Sequence, residues 1–593
     1  MPALVVILGR PSGLEGSDPR KVSINDDFTS PTRSIEDLAR LRSVRISRAV
    51  VRGLLISVVL IWLVACDGMS TSTLPLITNL APSSGAPGTE VTISGRNFGA
   101  TQGASSVVIG GIAAAATNWA PTSVTVRVPN GVRTGNVIVT VGSHLSNGLL
   151  FVGTVAAKYP IKSSTNKRYL VDENNAPFLI TGDAPHTMFA NVSTADAEAY
   201  MTDRMAHGIN TLWCELLVND AIGGRKDGST YDGILPFTGK LPGGLYDLTK
   251  PNPAYFDRVD AMINLAAKHS IVIMLDSLEN DGWMSTFEAN GNAAANTWGR
   301  YIGNRYRGFP NLIWMTGNDF QTWQTSSVDN TLTQSVMAGI AAIDPKHLQT
   351  TELNFNISGS LDDLLLVPYT NLAAAYTYYP TYFEVLQQYN NPVATLPVFM
   401  EEGYYEGQAY GNLTPKIATP LMLRKVPYWT VLSGGLGGYM FGTQYFDFHA
   451  GWQSGIASMP ATQVGYFAAF FQSLPWYDLV PDQKHIIVTA GYGTTTGNGG
   501  GNIKTDDYVT TAYWPDGSGS VSYAPVSTTL TVALSQFSSA VYAKWYDPTN
   551  NTYSTVSGSP FKKTGTGSIH TPGRNSAGDS DWVLVLETNQ SNP

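Results

Sequence analysis

Three regimes of hydrophobic patterning follow one another along the chain. From 75 to 153, short Val/Ile/Thr-rich runs alternate with Gly/Pro/Asn turns, as in Glu90-Val91-Thr92-Ile93-Ser94, Ser106-Val107-Val108-Ile109 and Asn136-Val137-Ile138-Val139-Thr140-Val141. A period of two broken by turn residues predicts a small antiparallel sandwich. From 159 to 475, apolar runs alternate with amphipathic stretches of helical spacing, which predicts parallel βα units. The candidate strands are 178–181, 211–216, 271–275, 312–315, 348–351, 373–376, 398–400 and 438–441. Ser193-Thr194-Ala195-Asp196 starts a helix in the manner of a capping box and Gly208 supplies a left-handed stop. Asn252-Pro253 opens another, whose Phe256, Val259, Met262, Ile263 and Ala266 keep helical spacing. Length and alternation favour a (β/α)8 TIM barrel over an open doubly wound sheet, although periodicity cannot close a sheet. From 476 to 593 strand patterning returns, as in Asp581-Trp582-Val583-Leu584-Val585-Leu586, and predicts a C-terminal β-sandwich.

Ahead of these lies a leader, 1–66, and a short Ser/Thr-bearing linker, 67–74. The apolar run 53–65 follows Arg40, Arg42, Arg45, Arg48 and Arg52, and is too short for a comfortable membrane span, which needs about 20 residues. It suits the core of a signal peptide. Leu63-Val64-Ala65-Cys66 resembles a bacterial lipobox, in which Cys66 becomes the lipidated first residue. The expectation is an extracytoplasmic protein, periplasmic or cell-surface, held to a bacterial membrane through Cys66. Translation starting near Val44 would explain the length of the leader. Cys214 is the only other cysteine, so with Cys66 lipidated no intramolecular disulfide can form.

Composition narrows the partners. Of 593 residues 43% are hydrophobic and 14% charged, with a net charge of -9. This excludes a sustained basic surface outside the leader, and with it nucleic acid as partner. Aromatic and glycine-rich composition suits neutral polymers, and an oligosaccharide or polysaccharide is the expected substrate. The histidines show no HExxH or comparable spacing, Cys214 lacks a CxxC partner, and no GxSxG elbow is present. Asp276, Glu279 and Asp281 depart from the calcium-loop pattern. No metal and no cofactor is expected, and oligomeric state is left open.

Two apolar runs end in acid beside glycine, Ile313-Trp314-Met315-Thr316-Gly317-Asn318-Asp319 and Pro397-Val398-Phe399-Met400-Glu401-Glu402-Gly403. Such runs deliver carboxyl groups to the mouth of a barrel, and a pair of them is the minimum equipment for cleaving a glycosidic bond. Asp319 is the candidate general acid/base and Asn318 a donor to the sugar; the competing reading makes Asp319 a helix cap. Glu402 is the candidate nucleophile, with Glu401 the fallback, because alternation turns only one of them inward. Asp183, His186, Trp213, Glu215, Tyr378 and Glu406 are candidates for substrate binding at or near strand ends, in company with Asp276, Glu279 and Trp283.

Pro177-Phe178-Leu179-Ile180-Thr181-Gly182-Asp183, Tyr200-Met201-Thr202-Asp203-Arg204, Pro310-Asn311-Leu312-Ile313-Trp314, the Gly317 turn, the 397–406 segment and Leu474-Pro475-Trp476-Tyr477 together resemble the apiosidase-like glycoside hydrolases, related to glycoside hydrolase family 140. The resemblance covers 159–590. It implies a clan A (β/α)8 barrel joined to a C-terminal β-sandwich, Asp319 as acid/base, Glu402 as nucleophile, and retention of anomeric configuration. Relatives usually carry Gly-Gly-Asp where Gly317-Asn318-Asp319 stands, often Trp at His186, and often His where Glu352 and Asn354 follow the fifth strand. Ile77-Thr78-Asn79-Leu80-Ala81-Pro82 and Ile93-Ser94-Gly95-Arg96-Asn97-Phe98-Gly99 resemble the immunoglobulin-like IPT/TIG family over 75–153. The expected protein is multidomain, a TIM barrel flanked by an N-terminal immunoglobulin-like sandwich and a C-terminal β-sandwich similar to collagen-binding-type domains. Its expected activity is retaining hydrolysis of plant or microbial polysaccharide; the alternative is a non-catalytic glycan- or matrix-binding surface lipoprotein.

Overall fold

The computed structural model describes residues 74–589, apart from 86, 130, 131, 133, 154–157, 355, 356, 412 and 497–499. The expected leader and the expected lipidation site at Cys66 lie outside the described residues. The first domain pairs a four-stranded sheet (Leu76–Ala81, Glu90–Arg96, Ser123–Arg127 and Ala116–Ala120) with a second sheet built around Gly135–Val141. Alternate residues Val91, Ile93, Val124, Val126, Val137 and Val139 turn inward and are buried, which is the period of two in the sequence made physical.

The central sheet holds eight parallel strands: β1 (Ile180–Asp183), β2 (Thr211–Glu215), β3 (Val272–Glu279), β4 (Leu312–Gly317), β5 (Gln349–Thr351), β6 (Ala373–Thr377), β7 (Val398–Glu402) and β8 (Gly438–Phe441). Their order is β5-β4-β3-β2-β1-β8-β7-β6, and a further strand, Ile357–Gly359, pairs antiparallel with β6. That ninth strand was not expected from the sequence. No ladder joins β5 to β6 among the described residues, but Ser360 spans them: its Oγ donates to Thr351 O (2.7 Å) and accepts from Ala374 N (2.8 Å). The first strand also starts later than expected, because Pro177–Phe178 pairs instead with Leu170–Val171 in a small antiparallel sheet.

Strand alternation feeds two separate cores. Ile180, Trp213, Met274, Ile313, Met315, Ala374, Phe399 and Met440 pack together on one face of the curled sheet. Leu212, Cys214, Ile273, Leu275, Trp314, Ala375 and Met400 face the helices on the other. Those helices include α1 (Thr194–Ala206), α2 (Pro253–Lys268), α3 (Asn280–Tyr306), α4 (Ser327–Ala341), α5 (Thr381–Tyr389), α6 (Pro420–Leu432) and α7 (Met459–Gln472). Ser193 caps α1 by accepting from Asp196 N, Gly208 follows at φ 78°, and Asn252 caps α2 ahead of Pro253.

The C-terminal domain sets a six-stranded sheet around Gly519–Ala524, Trp582–Glu587 and Tyr542–Asp547 against a three-stranded sheet of Val488–Ala490, Thr529–Ala533 and Thr566–His570. Leu530, Val532 and Ile569 of the smaller sheet share a core with Ala543, Trp545 and Leu584 of the larger. Helix α6 attaches it to the central domain. The buried Arg424 donates from Nε to Asp581 Oδ2 (3.0 Å) and from Nη2 to Asp581 Oδ1 (2.8 Å) and Asp579 Oδ2 (2.6 Å). Lys425 Nζ donates to the carbonyls of Ile503 (2.9 Å), Lys504 (3.2 Å) and Asp506 (2.9 Å), and Tyr428 stacks on Tyr523 at 4.9 Å.

Removing one partner of a buried ion pair leaves the other charge stranded, whereas an exposed pair is screened. Asp581→Ala is therefore expected to lower the stability of the chain by about 3–5 kcal/mol in chemical denaturation. Glu90→Ala, which breaks the exposed Arg127–Glu90 pair, is expected to change it by no more than about 0.5 kcal/mol. Equal effects of the two substitutions would remove Arg424 as the anchor.

Candidate active site

The same alternation that fills the inner core carries acids to its upper end. On β2 the inward series Thr211, Trp213 ends at Glu215, and on β3 the series Val272, Met274 ends at Asp276. Leu348 and Thr350 lead to Glu352 beyond β5, and Phe399 leads to Glu401 on β7. All four carboxyls are buried.

Glu402 reaches the site through an irregularity. Strict alternation from Phe399 would turn Glu401 inward and Glu402 away, but the β6–β7 register shifts so that Glu402, and not Glu401, lies opposite Tyr376. Its carboxylate is then held at both ends. Oε1 accepts from Tyr378 OH (2.6 Å) and Tyr376 OH (3.2 Å), and Oε2 accepts from Tyr405 OH (2.8 Å). Burial first, and the Glu402 charge second, hold all three phenols well above their usual range, so they remain donors. Glu401 has no hydrogen-bond partner for either oxygen among the described residues, and burial together with Glu402 pushes its carboxyl well up.

Asp319 sits at the end of a strained turn. Gly317, Asn318 and Asp319 have φ of 136°, 77° and 50°, a run of left-handed backbone just beyond β4. A Cβ at Gly317 would meet Glu352 O at 2.2 Å, so the glycine is fixed by close approach as well as by angle. Ser326, not Asp319, caps the following helix α4, which disposes of the capping alternative. The Asp319 carboxylate instead accepts from Tyr376 OH at 2.8 Å. One phenol thus touches both candidate acids, and their Oδ1 and Oε1 atoms lie no more than about 6 Å apart. Burial, reinforced by the Glu402 charge, pushes the Asp319 carboxyl up to about 7 against the lowering effect of Tyr376.

Behind this pair runs a second hydrogen-bonded chain. Glu215 Oε1 accepts from Asn318 Nδ2 (2.8 Å) and lies 3.0 Å from His186 Nδ1, while His186 Nε2 lies 2.9 Å from Tyr405 OH. Glu215 Oε2 and Asp276 Oδ2 have no other partner among the described residues. Burial first, and the neighbouring Glu215 second, push the Asp276 carboxyl well up. Glu352, with both oxygens unpartnered among the described residues, is raised by burial and then by Glu401, Glu402 and Asp319.

Several candidate residues are thereby reassigned. Asp183 faces the helices, because Ile180 and Gly182 take the inward positions of β1; its Oδ2 accepts from Arg204 Nη1 (2.9 Å) and Tyr200 OH (2.6 Å) on α1, away from any sugar. Trp213 is fully buried in the inner core beneath His186, ring centroids 4.5 Å apart, and offers no face for stacking. His186 has both ring nitrogens occupied. Glu215 accepts from protein donors and is wholly buried. Glu406 accepts from Ser458 Oγ (2.7 Å), the cap of α7. Tyr378 and Asn318 are beside the acids but already spend donors on Glu402 and Glu215. Tyr376 and Tyr405 were not singled out from the sequence; Tyr376 could have been, standing two positions before Tyr378 on one strand face.

A family model described as the apiosidase-like catalytic domain matches residues 164–478, more than half of the chain. The chain belongs to the apiosidase-like family. Flanking this apiosidase-like unit, an IPT/TIG domain model matches 75–152 and a collagen-binding-type domain of a collagenase matches 501–587. Among solved structures, one described as a glycoside hydrolase is 19% identical with a TM-score of 0.59, covering 73% of this chain and 98% of its own. A glycoside hydrolase family 5 structure from Bacteroides vulgatus is 18% identical at TM-score 0.59, covering 73% of this chain and 94% of its own. These likenesses establish the fold. No curated protein matches the chain. The apiosidase-like chain is a glycoside hydrolase.

A carboxyl whose folded pKa is raised contributes stability that is fully present below its unfolded value and lost as pH rises through the folded one. For Asp319 the window runs from 3.8 to about 7. The apiosidase-like Asp319→Asn variant, which cannot ionise, is therefore expected to gain on the wild type by on the order of 2–4 kcal/mol between these limits. Denaturant midpoints measured across that range check it, and a pH-independent difference would overturn the assignment.

Proposed function

We propose that the chain cleaves a glycosidic bond of a plant or microbial polysaccharide by double displacement with retention, on a sheet whose eight parallel strands close as a (β/α)8 barrel. The observation that carries this reading is the Tyr376 hydroxyl shared by Asp319 and Glu402. It bounds the acids at about 6 Å, within reach of the roughly 5–5.5 Å of retaining enzymes and short of the roughly 6.5–9.5 Å that an inverting enzyme needs for its water. Closure is supported by the cyclic strand order and by Ser360 between β5 and β6.

In the first step a Glu402 oxygen bonds to the anomeric carbon while the bond to the leaving oxygen breaks and Asp319 gives that oxygen its proton. In the second, water attacks the anomeric carbon, Asp319 takes the proton of the water, and the ester bond to Glu402 breaks. Asp319 is equipped for the acid role by its burial and by the Glu402 charge beside it; Glu402 is equipped for the nucleophilic role by hydrogen bonds that fix both oxygens. The sugar is not restricted to apiose, because His186, Asn318 and Glu352 replace residues usual in the family. The arginine-preceded apolar run and Cys66 support an extracytoplasmic, lipid-anchored location.

Hydrolysis is to be sought on panels of aryl glycosides and plant or microbial oligosaccharides. Asp319→Ala and Glu402→Ala are expected to lower kcat/KM by about 10³-fold or more on any substrate found, and Glu401→Gln to retain most activity. The first-formed sugar should keep its anomeric configuration by NMR. For wild type kcat/KM should fall as pH rises through about 7, where Asp319 loses its proton. Binding without turnover across the panels would favour the non-catalytic alternative.

A further inference from the structure

Tyr405 carries one proton and has two neighbours that can take it. Its hydroxyl is 2.8 Å from Glu402 Oε2 and 2.9 Å from His186 Nε2. Only one arrangement satisfies both contacts while Glu402 receives the proton: His186 Nε2 must then itself be a donor, to the Tyr405 oxygen. On its far side, His186 Nδ1 faces Glu215 Oε1, an oxygen that already accepts from Asn318. A carboxylate there calls for a donor at Nδ1 as well. With Glu215 as the acceptor and Tyr405 turned to Glu402, the contacts ask for N–H bonds on both ring nitrogens, the arrangement of an imidazolium between two acids. The neutral ring gives the opposite result, in which Tyr405 turns its proton to Nε2 and leaves Glu402 Oε2 without it.

We propose that His186 is a positioning residue that, as an imidazolium held by Glu215, directs the Tyr405 proton onto Glu402. The proposal rests on the assignment of Glu402 as nucleophile and extends it. The titratable groups facing His186 are Glu215 from β2, with Asp276 of β3 behind it, Asp319 beyond β4, and Tyr405 and Glu402 from β7 and its loop; Trp213 and Phe446 close the ring faces edge-on at 4.5 Å and 5.7 Å. The electrostatic sign is consistent, since His186 acts on Asp319 in the lowering direction. Its consequence is felt most in the second half-reaction. When water displaces the sugar, the electron pair of the ester bond returns to Glu402, and the Tyr405 hydrogen bond receives that charge.

The chain predicts a kinetic split. Tyr405→Phe and His186→Gln should each lower kcat about 10–100-fold on an aryl glycoside with a good leaving group and lower KM in parallel, because the glycosyl-enzyme accumulates. The double variant should lose no more than Tyr405→Phe alone, as expected of residues acting in series. A role for His186 in packing alone would give additive losses and leave KM unmoved, and that result would overturn the proposal. A second measurement needs no substrate. In protein labelled with 15N-histidine, the His186 resonance, identified by its loss in His186→Gln, should show the two-N–H imidazolium pattern near pH 6 and convert to the neutral pattern in Glu402→Gln. An identical ring state in wild type and Glu402→Gln rejects the relay. If the wild type cleaves no glycoside, the catalytic reading fails while the spectra still decide the relay; if glycosides are cleaved and the ring ignores Glu402, the relay alone fails.

Discussion

A carboxyl group taken out of water must be given either hydrogen bonds or a proton, and around the half-buried Asp319 the central strands gather five buried ones: Glu215, Asp276, Glu352, Glu401 and Glu402. No lysine or arginine is paired with any of the six among the described residues. The fold meets this constraint in two ways. Glu402 lies within hydrogen-bond reach of three phenols, one of which, Tyr376, it shares with Asp319, and Glu215 receives Asn318 and His186. Asp276, Glu352 and Glu401, by contrast, are pushed up by burial and by the charges beside them. Asp319 lies between these groups, with only the shared Tyr376 hydroxyl and a pKa of about 7. The two acids that share a hydroxyl thus differ in their supply of donors, and the one with fewer, Asp319, has its carboxyl pushed up, as a proton donor to a sugar requires.

The same constraint explains the strained backbone after β4. Asn318 must reach back to Glu215 while Asp319 turns to Tyr376, and adjacent residues of regular strand point to opposite faces. A left-handed run starting at Gly317 frees both side chains from that alternation. Each non-glycine residue held there costs about 1–3 kcal/mol, which the hydrogen bonds of a rigid site offset. The bulge on β7 plays the corresponding part for Glu402. Both acids therefore arrive through departures from regular strand geometry.

This is also where the sequence stopped being legible. The alternation of apolar runs with helical spacing contained the eight parallel strands, and the capping residues Ser193 and Asn252 could be read directly, because local rules decide them. The Ile357–Gly359 strand and the small sheet at Pro177–Phe178 could not, since two- and three-residue ladders carry no period of their own. Glu402 and Glu401 could not be told apart by alternation, because the bulge reverses it. Asp183, Trp213 and Glu406 were placed at the mouth on strand-end position alone. Their partners, Arg204 on α1, the apolar layer under His186, and Ser458 at the start of α7, come from distant parts of the chain.

The C-terminal domain obeys a related logic on the outside of the sheet. Helix α6 buries Arg424 and Lys425 side by side, and both find their acceptors in the following domain: Asp579 and Asp581 for the guanidinium, and three backbone carbonyls for the ammonium. Burial lowers the lysine to about 8, and the carbonyls face it where water would otherwise solvate it. A helix with two buried cations cannot present that face to an apolar neighbour, so the face is committed to a partner rich in oxygen acceptors. In this chain the C-terminal domain supplies them, and its surface toward α6 is therefore spent on bracing the catalytic sheet. The residues of that domain open to other contacts are those on its remaining faces.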